Sequence, residues 1–175
     1  KYLIKPKSKI KKKYIIYLDT PTPYFEGDYI LMGKKICKNK LTIKEWYNQF
    51  NNFFNNLEFF YNTKVLVISH PKTKGIVNPF FKQRIINHDM DAAVKFIPQC
   101  KLLLTTGSTG ISHAIVNYKP FLYIYSPLFL HLYGYDRLHK NRIFALAKMF
   151  KKRPINISSY TRKEISKNFK VNRKL

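Results

Sequence analysis

Short, continuous apolar runs punctuate the chain, each stopped by turn-forming residues. Tyr14-Ile15-Ile16-Tyr17-Leu18 is the first, and Asp19-Thr20-Pro21-Thr22-Pro23 ends it. Val65-Leu66-Val67-Ile68 is the clearest and stops at Ser69-His70-Pro71. Leu102-Leu103-Leu104-Thr105 leads into Gly107, Phe121-Leu122-Tyr123-Ile124-Tyr125 follows Pro120, and a short strand is expected near Ile155 to Ile157. Runs of this length without polar alternation, bounded by turn signals, predict strands buried on both faces.

Helical periodicity fills the intervals. Trp46, Phe50, Phe53, Phe54, Leu57 and Phe60 recur every three or four residues with Asn and Gln on the other face, predicting an amphipathic helix that Thr42 can cap. Met90 to Pro98 reads as a short helical segment, and about Asp136 to Phe150 as a longer one. Ile111, Ala114, Ile115 and Tyr118 mark one helical face before Pro120. Strands alternating with helices predict an α/β fold, a Rossmann-like parallel sheet with helices on both faces, whose ligands bind at the carboxyl ends of the strands. A basic lead or linker is expected over 1–13, the domain over 14–160 and a basic tail over 161–175. Strand-like material begins soon after Lys1, which suggests a piece of a longer chain.

Composition widens the functional field. A net charge of +24, from 33 basic and 9 acidic residues, points to nucleic acid, an anionic membrane or a phosphate-rich ligand without choosing among them. The abundance of Lys, Asn, Ile, Tyr and Phe is also what drift toward AT-rich codons produces. Cys37 and Cys100 stand far apart with no ligand spacing around them, so neither zinc nor a disulfide framework is expected, and a reducing, cytosolic setting fits. No run approaches the ~20 apolar residues of a membrane span, and no signal-peptide core follows the N-terminal lysines.

Two strand ends carry the candidate chemistry. Gly107-Ser108-Thr109-Gly110 joins a buried strand to a helix, where backbone N–H groups, the helix dipole and two hydroxyls can meet an anion. The turn is neither GxGxxG nor a P-loop, and a plain Ser or Thr helix cap explains it as well. His70-Pro71 ends an earlier strand on the same rim, with Lys72 and Lys74 adding positive charge. Ser112, His113, Asp136, Arg137, His131 and His139 read as helix-face, cap or loop residues, and Asp19 as a turn former before Thr-Pro.

A His-Pro at one strand end followed by a Ser/Thr-rich turn at a later one resembles the donor half of bacterial sialyltransferases and Kdo transferases, and also CDP-glycerol phosphotransferases. Trp46-Tyr47-Asn48-Gln49-Phe50 through Phe54 and Glu58, Val65 to Pro71, Arg84-Ile85-Ile86, Asp91 to Val94 and Gly107 to Pro120 resemble, more closely, a group of bacterial surface-polysaccharide and capsule proteins. The resemblance runs from Tyr14 to Ser126.

It implies one half of a GT-B fold, and a glycosyltransferase of surface polysaccharide or lipopolysaccharide biosynthesis. The enzyme would be cytoplasmic and peripheral at the inner face of the membrane. Its donor would be a CMP-, CDP- or UDP-linked sugar, and its acceptor a glycan or lipid-linked hydroxyl. His70, Ser108 and Thr109 would contact the donor phosphate and ribose, with Pro71, Gly107 and Gly110 shaping the two loops. The leaving phosphate would be stabilised by Lys72, Arg84 or Lys119, with no metal and no cofactor. The families' acidic catalytic motif lies in an N-terminal acceptor-binding domain. Glu26-Gly27-Asp28 resembles it only superficially, so the base is unassigned and activity is expected to depend on that other half. The alternative from another class is a basic nucleic-acid-binding α/β domain, carried by Lys11 to Lys13 and Lys151 to Arg153 beside many tyrosines. The same lysines suit an anionic membrane surface.

Overall fold

A computed structural model describes residues 14–20, 40–71, 81, 84, 86–128 and 137–168. In chain order these form β1 (Tyr14–Leu18), α1 (Lys40–Tyr61), β2 (Lys64–Ile68), β3 (Ile86–Asn87) and α2 (Ala92–Phe96), which runs into a 3-10 turn at Ile97–Gln99. There follow β4 (Cys100–Thr105), α3 (Ile111–Val116), β5 (Phe121–Tyr125), α4 (Arg137–Met149), β6 (Ile155–Asn156) and α5 (Arg162–Lys167). Among the described residues every strand pairing is parallel, in the order β3-β2-β1-β4-β5-β6. The chain therefore builds outward from β1 through β2 to β3, returns to the centre, and builds outward on the other side from β4. This is the doubly wound Rossmann-like arrangement, and its order reverses between β1 and β4.

The apolar runs are continuous because alternate residues serve different cores. Ile15, Tyr17, Val65, Val67, Leu102, Leu104, Leu122 and Ile124 face one side of the sheet, where α1 buries Trp46, Phe50, Phe53, Phe54 and Leu57. Ile16, Leu18, Leu66, Ile68, Leu103, Phe121 and Tyr123 face the other, against Ala92, Ala114, Ile143 and Ala147 of the helices there. The Tyr17 ring lies 5.3 Å from Phe50, 5.2 Å from Phe54 and 5.9 Å from Phe81. Such ring pairs each add about 0.5–1.5 kcal/mol beyond the area they bury, and this cluster fixes where the Tyr17 hydroxyl emerges.

Three helices end in the same way. Asn62, Tyr118 and Lys151 adopt φ of 42°, 50° and 53°, and the following N–H groups of Thr63, Lys119 and Lys152 reach back to the carbonyls of Glu58, Ala114 and Ala147. These are Schellman closures, which turn each helix back toward the next strand.

The domain continues beyond its expected end at residue 160. Thr161 and Glu164 form a capping box at the start of α5, and Ile165 is buried in the α1-side core. The Tyr61 hydroxyl hydrogen-bonds the Ser166 hydroxyl at 3.0 Å, and Arg162 donates to the Phe60 carbonyl at 3.4 Å. Thr-x-x-Glu was legible as a helix start, but the surrounding lysines disguised the single apolar residue that anchors it. No helix among the described residues is long and apolar enough to cross a membrane.

Candidate functional site

At the reversal of strand order the ends of β1 and β4 stand side by side, with Leu18 in register with Thr105. Asp19 extends the β1–β2 pairing by one residue, donating its N–H to the Ile68 carbonyl at 2.9 Å. Across the reversal the Thr20 and Thr106 hydroxyls hydrogen-bond at 3.0 Å. Tyr17 bonds both Thr106 and the Asp19 carboxyl, which also accepts from the Thr20 backbone. One donor order satisfies the whole chain: Thr20 donates to Thr106, Thr106 to Tyr17, and Tyr17 to Asp19.

Asp19 is only 6% exposed. Burial pushes its carboxyl well above the usual carboxylate range, and the bonds from Tyr17 and Thr20 offset this only in part. Burial, reinforced by the Asp19 charge, drives the Tyr17 phenol upward as well, so it stays a donor at neutral pH. A carboxyl held this way at a sheet's binding edge is suited to exchange a proton or to accept a ligand hydroxyl.

The neighbouring turn differs from the sequence expectation. Its N–H groups are largely occupied from within: Thr105 Oγ1 accepts from Gly107 at 3.1 Å and from Ser108 at 2.8 Å, and Ser108 Oγ accepts from Gly110 at 3.2 Å. The N-cap of the six-residue α3 is Gly110, with no side-chain cap bond. Ser108 and Thr109 are thus not the helix cap; Ser108 shapes the turn, and exposed Thr109 has a backbone N–H with no partner among the described residues. The two glycines serve different ends. Gly107 has φ +115°, which side-chain-bearing residues rarely adopt, whereas a Cβ on Gly110 would come within 3.0 Å of Leu18 Cδ1. The first permits the turn and the second lets α3 approach β1 closely.

Thr105, fully buried, is the organiser of this loop. Thr105→Val keeps its shape but leaves the Gly107 and Ser108 N–H groups without their acceptor. Because both residues are half-buried, the expected loss in urea unfolding is about 2–3 kcal/mol for the pair of donors, while Thr105→Ser stays within about 1 kcal/mol.

His70 is half-buried just past β2, and Pro71 is exposed beside it, both on the same carboxyl edge as the turn. β1 lies between β2 and β4, so the two strand ends are about 10 Å apart at ordinary strand spacing. Lys72 and Lys74 lie outside the described residues.

Two expected phosphate cations belong elsewhere. Lys119 follows α3 and precedes β5, with its N–H on the Ala114 carbonyl. That places it at the amino edge of the sheet, roughly 15–20 Å along the strand direction from the turn. Arg84 is committed to α1: its guanidinium donates to Asn51 Oδ1 at 2.7 Å, Asn55 Oδ1 at 2.6 Å and Glu58 Oε2 at 3.2 Å. It also lies 5.2 Å from the Phe54 ring centroid. Burial lowers its pKa, with Glu58 opposing the shift.

The metal-free expectation overlooks one Asp-x-Asp, Asp89-Met90-Asp91, on the carboxyl side of β3. Asp91 is engaged with Lys95 at 2.8 Å, and the Asp89 N–H donates to Asn87 Oδ1 at 2.8 Å. Among the described residues no three His, Cys, Asp or Glu side chains group to hold an ion.

Thr105, Thr106 and Tyr17 stand outside the site expected from the sequence, where Asp19 reads as a turn former. Their common signal is a polar residue directly after an apolar strand. Comparison with family models, curated proteins and solved structures finds no match for this chain.

Proposed function

We propose that the chain binds a nucleotide-activated sugar in the crevice between the carboxyl ends of β1 and β4. On this reading it is the donor half of a GT-B glycosyltransferase in bacterial surface polysaccharide or lipopolysaccharide biosynthesis, working at the cytoplasmic face of the membrane. The observation that carries the reading is the strand-order reversal between β1 and β4, with Thr20 and Thr106 bonded across it. Ligands of open parallel sheets bind outside the strands at such a point. The Ser108 and Thr109 hydroxyls and the Thr109 N–H face the phosphate. His70, two strands away, takes a second part of an elongated ligand, and Asp19 accepts a hydroxyl of its sugar or ribose. Transfer is displacement at the anomeric carbon: the acceptor oxygen forms the new bond, the nucleotide phosphate leaves with the bonding pair, and a base in the partner half takes the acceptor proton.

Calorimetric titration with CMP, CDP and UDP, with and without Mg²⁺, tests this. His70→Ala, and Ser108→Ala combined with Thr109→Val, are each expected to weaken binding about tenfold, one hydrogen bond to a charged group being worth at least 1.4 kcal/mol. Because the Ser108 hydroxyl accepts the Gly110 N–H, the double variant should also lose about 1 kcal/mol of stability, so titrations are compared at a temperature where each variant is fully folded. Equal affinity in the variants would sink the site, and a strict Mg²⁺ requirement would sink its metal independence. Salt-dependent oligonucleotide binding with no nucleotide affinity would favour the nucleic-acid reading.

A further inference from the structure

We propose that the amino edge of the sheet, opposite the crevice, docks the protein on an anionic lipid bilayer. A wide basin of about 1840 Å³ opens there and runs along the β5–β6 flank as far as Tyr125; Lys119, Lys148, Lys151, Arg153 and Lys167 line it together with Ile115, Tyr118 and Phe144. Small-molecule pockets hold roughly 300–1,000 Å³, so its partner is an extended surface. Topology explains the gathering of charge: α3, α4 and α5 all run back against the strands, so their C-terminal ends and the turns after α3 and α4 share this edge.

Lysines at helix C-termini complement the helix dipole, but the rest of the edge calls for a partner. Among the described residues none of these five cations forms an ion pair; Glu164, the acid in the lining, is held in the α5 capping box and interacts only through space with the charge of Lys167. Tyr118 and Lys151 occupy left-handed positions where glycine is the easier residue, and both side chains line the basin.

The apolar groups decide what kind of polyanion fits. Val116, 75% exposed, and Met149, 73%, end α3 and α4 at this edge outside the basin's lining, while Ile115, Tyr118 and Phe144 are exposed within it. Nucleic acid offers phosphates and flat base faces to aromatic residues; it gives aliphatic side chains little. The interface of an anionic bilayer takes both, cations at the headgroups and aliphatic or aromatic groups below them. A molecule docked by this edge keeps the β1–β4 crevice turned toward solvent, and the assignment does not depend on what that crevice binds.

Vesicle co-sedimentation of the whole chain tests the proposal, using phosphatidylcholine alone and phosphatidylcholine with 30% phosphatidylserine, beside a single-stranded oligonucleotide. The expected result is binding to the anionic vesicles only, weakened tenfold or more by Lys148→Glu/Arg153→Glu/Lys167→Glu. Val116→Asn/Met149→Asn, which leaves the charge unaltered, should weaken it threefold or more, with melting midpoints close to wild type in both variants. Anionic-vesicle binding that neither variant alters overturns the proposal, as does its absence. Oligonucleotide binding that follows the charges while Val116→Asn/Met149→Asn changes nothing on vesicles assigns the edge to nucleic acid instead.

Discussion

Arg84→Ala is expected to lower the free energy of unfolding by about 3–4 kcal/mol, in the range for breaking a buried ion pair while one partner remains. The side chains of Arg84 and Glu58 are 7% and 19% exposed, so neither is well screened by water. Glu58 also accepts the Val65 N–H at 2.9 Å through its other oxygen, so one carboxylate joins the end of α1, the start of β2 and the segment holding Arg84. Removing the guanidinium strips a partner from Glu58, from Asn55 and from the buried Asn51 amide, and uncovers one face of Phe54. Arg84→Lys should recover less than half of the loss, because a single ammonium cannot reproduce a planar fork that reaches three acceptors at once. Glu58→Gln costs less, about 1–2 kcal/mol, since its amide oxygen can still accept one bond. The double variant should fall short of the sum, as expected for residues in one network. Urea unfolding of the four variants beside wild type measures all of this. Unchanged stability with weakened nucleotide binding would return Arg84 to the role of a ligand cation.

That contrast shows what the sequence can carry. Strands buried on two faces announce themselves as apolar runs, and β1, β2, β4 and β5 are legible for that reason, while β6 follows from the short stretch Ile155 to Ile157. β3, two residues long like β6, is not expected from the sequence. The strand order was not legible, because parallel strands of Ile, Leu and Val are interchangeable until their connections are placed. The order decides the site by putting Asp19 and Thr20 beside the glycine turn, whereas Lys119, between a helix and the next parallel strand, falls at the far edge whatever the order. The turn itself was legible from its glycines, but its wiring was not. Thr105 reads as the last strand residue, and only the folded loop reveals that its hydroxyl takes two backbone N–H groups. Arg84 was misplaced for a similar reason: a lone Arg in sequence carries no sign of the asparagines and glutamate of the helix it clamps.

Asp19→Asn is expected to act in the opposite direction, stabilising the protein while impairing it. A carboxyl whose pKa is raised on folding binds more protons folded than unfolded. Stability therefore falls as pH rises from the unfolded value, about 3.9, through the folded one, and stays reduced above it. For Asp19 the cause is burial, and the Tyr17 and Thr20 hydrogen bonds do not cancel it. An amide of the same shape escapes that penalty. At pH 8 the variant should gain about 1–3 kcal/mol, the scale of an incompletely compensated buried polar group, and below pH 4 the gain should vanish. Nucleotide affinity should drop by about tenfold at pH 8, one hydrogen bond being worth about 1–1.5 kcal/mol. Urea unfolding at pH 3.5, 6 and 8, paired with calorimetric titration, separates the outcomes. A loss of stability that is the same at every pH would make Asp19 a structural member of the Tyr17–Thr106 chain. A pH-dependent gain with ligand binding intact would show the charge to be tolerated rather than used. A gain coupled to a loss of binding is the mark of a carboxyl held in an unfavourable place for the ligand's sake, where stability and function pull against each other.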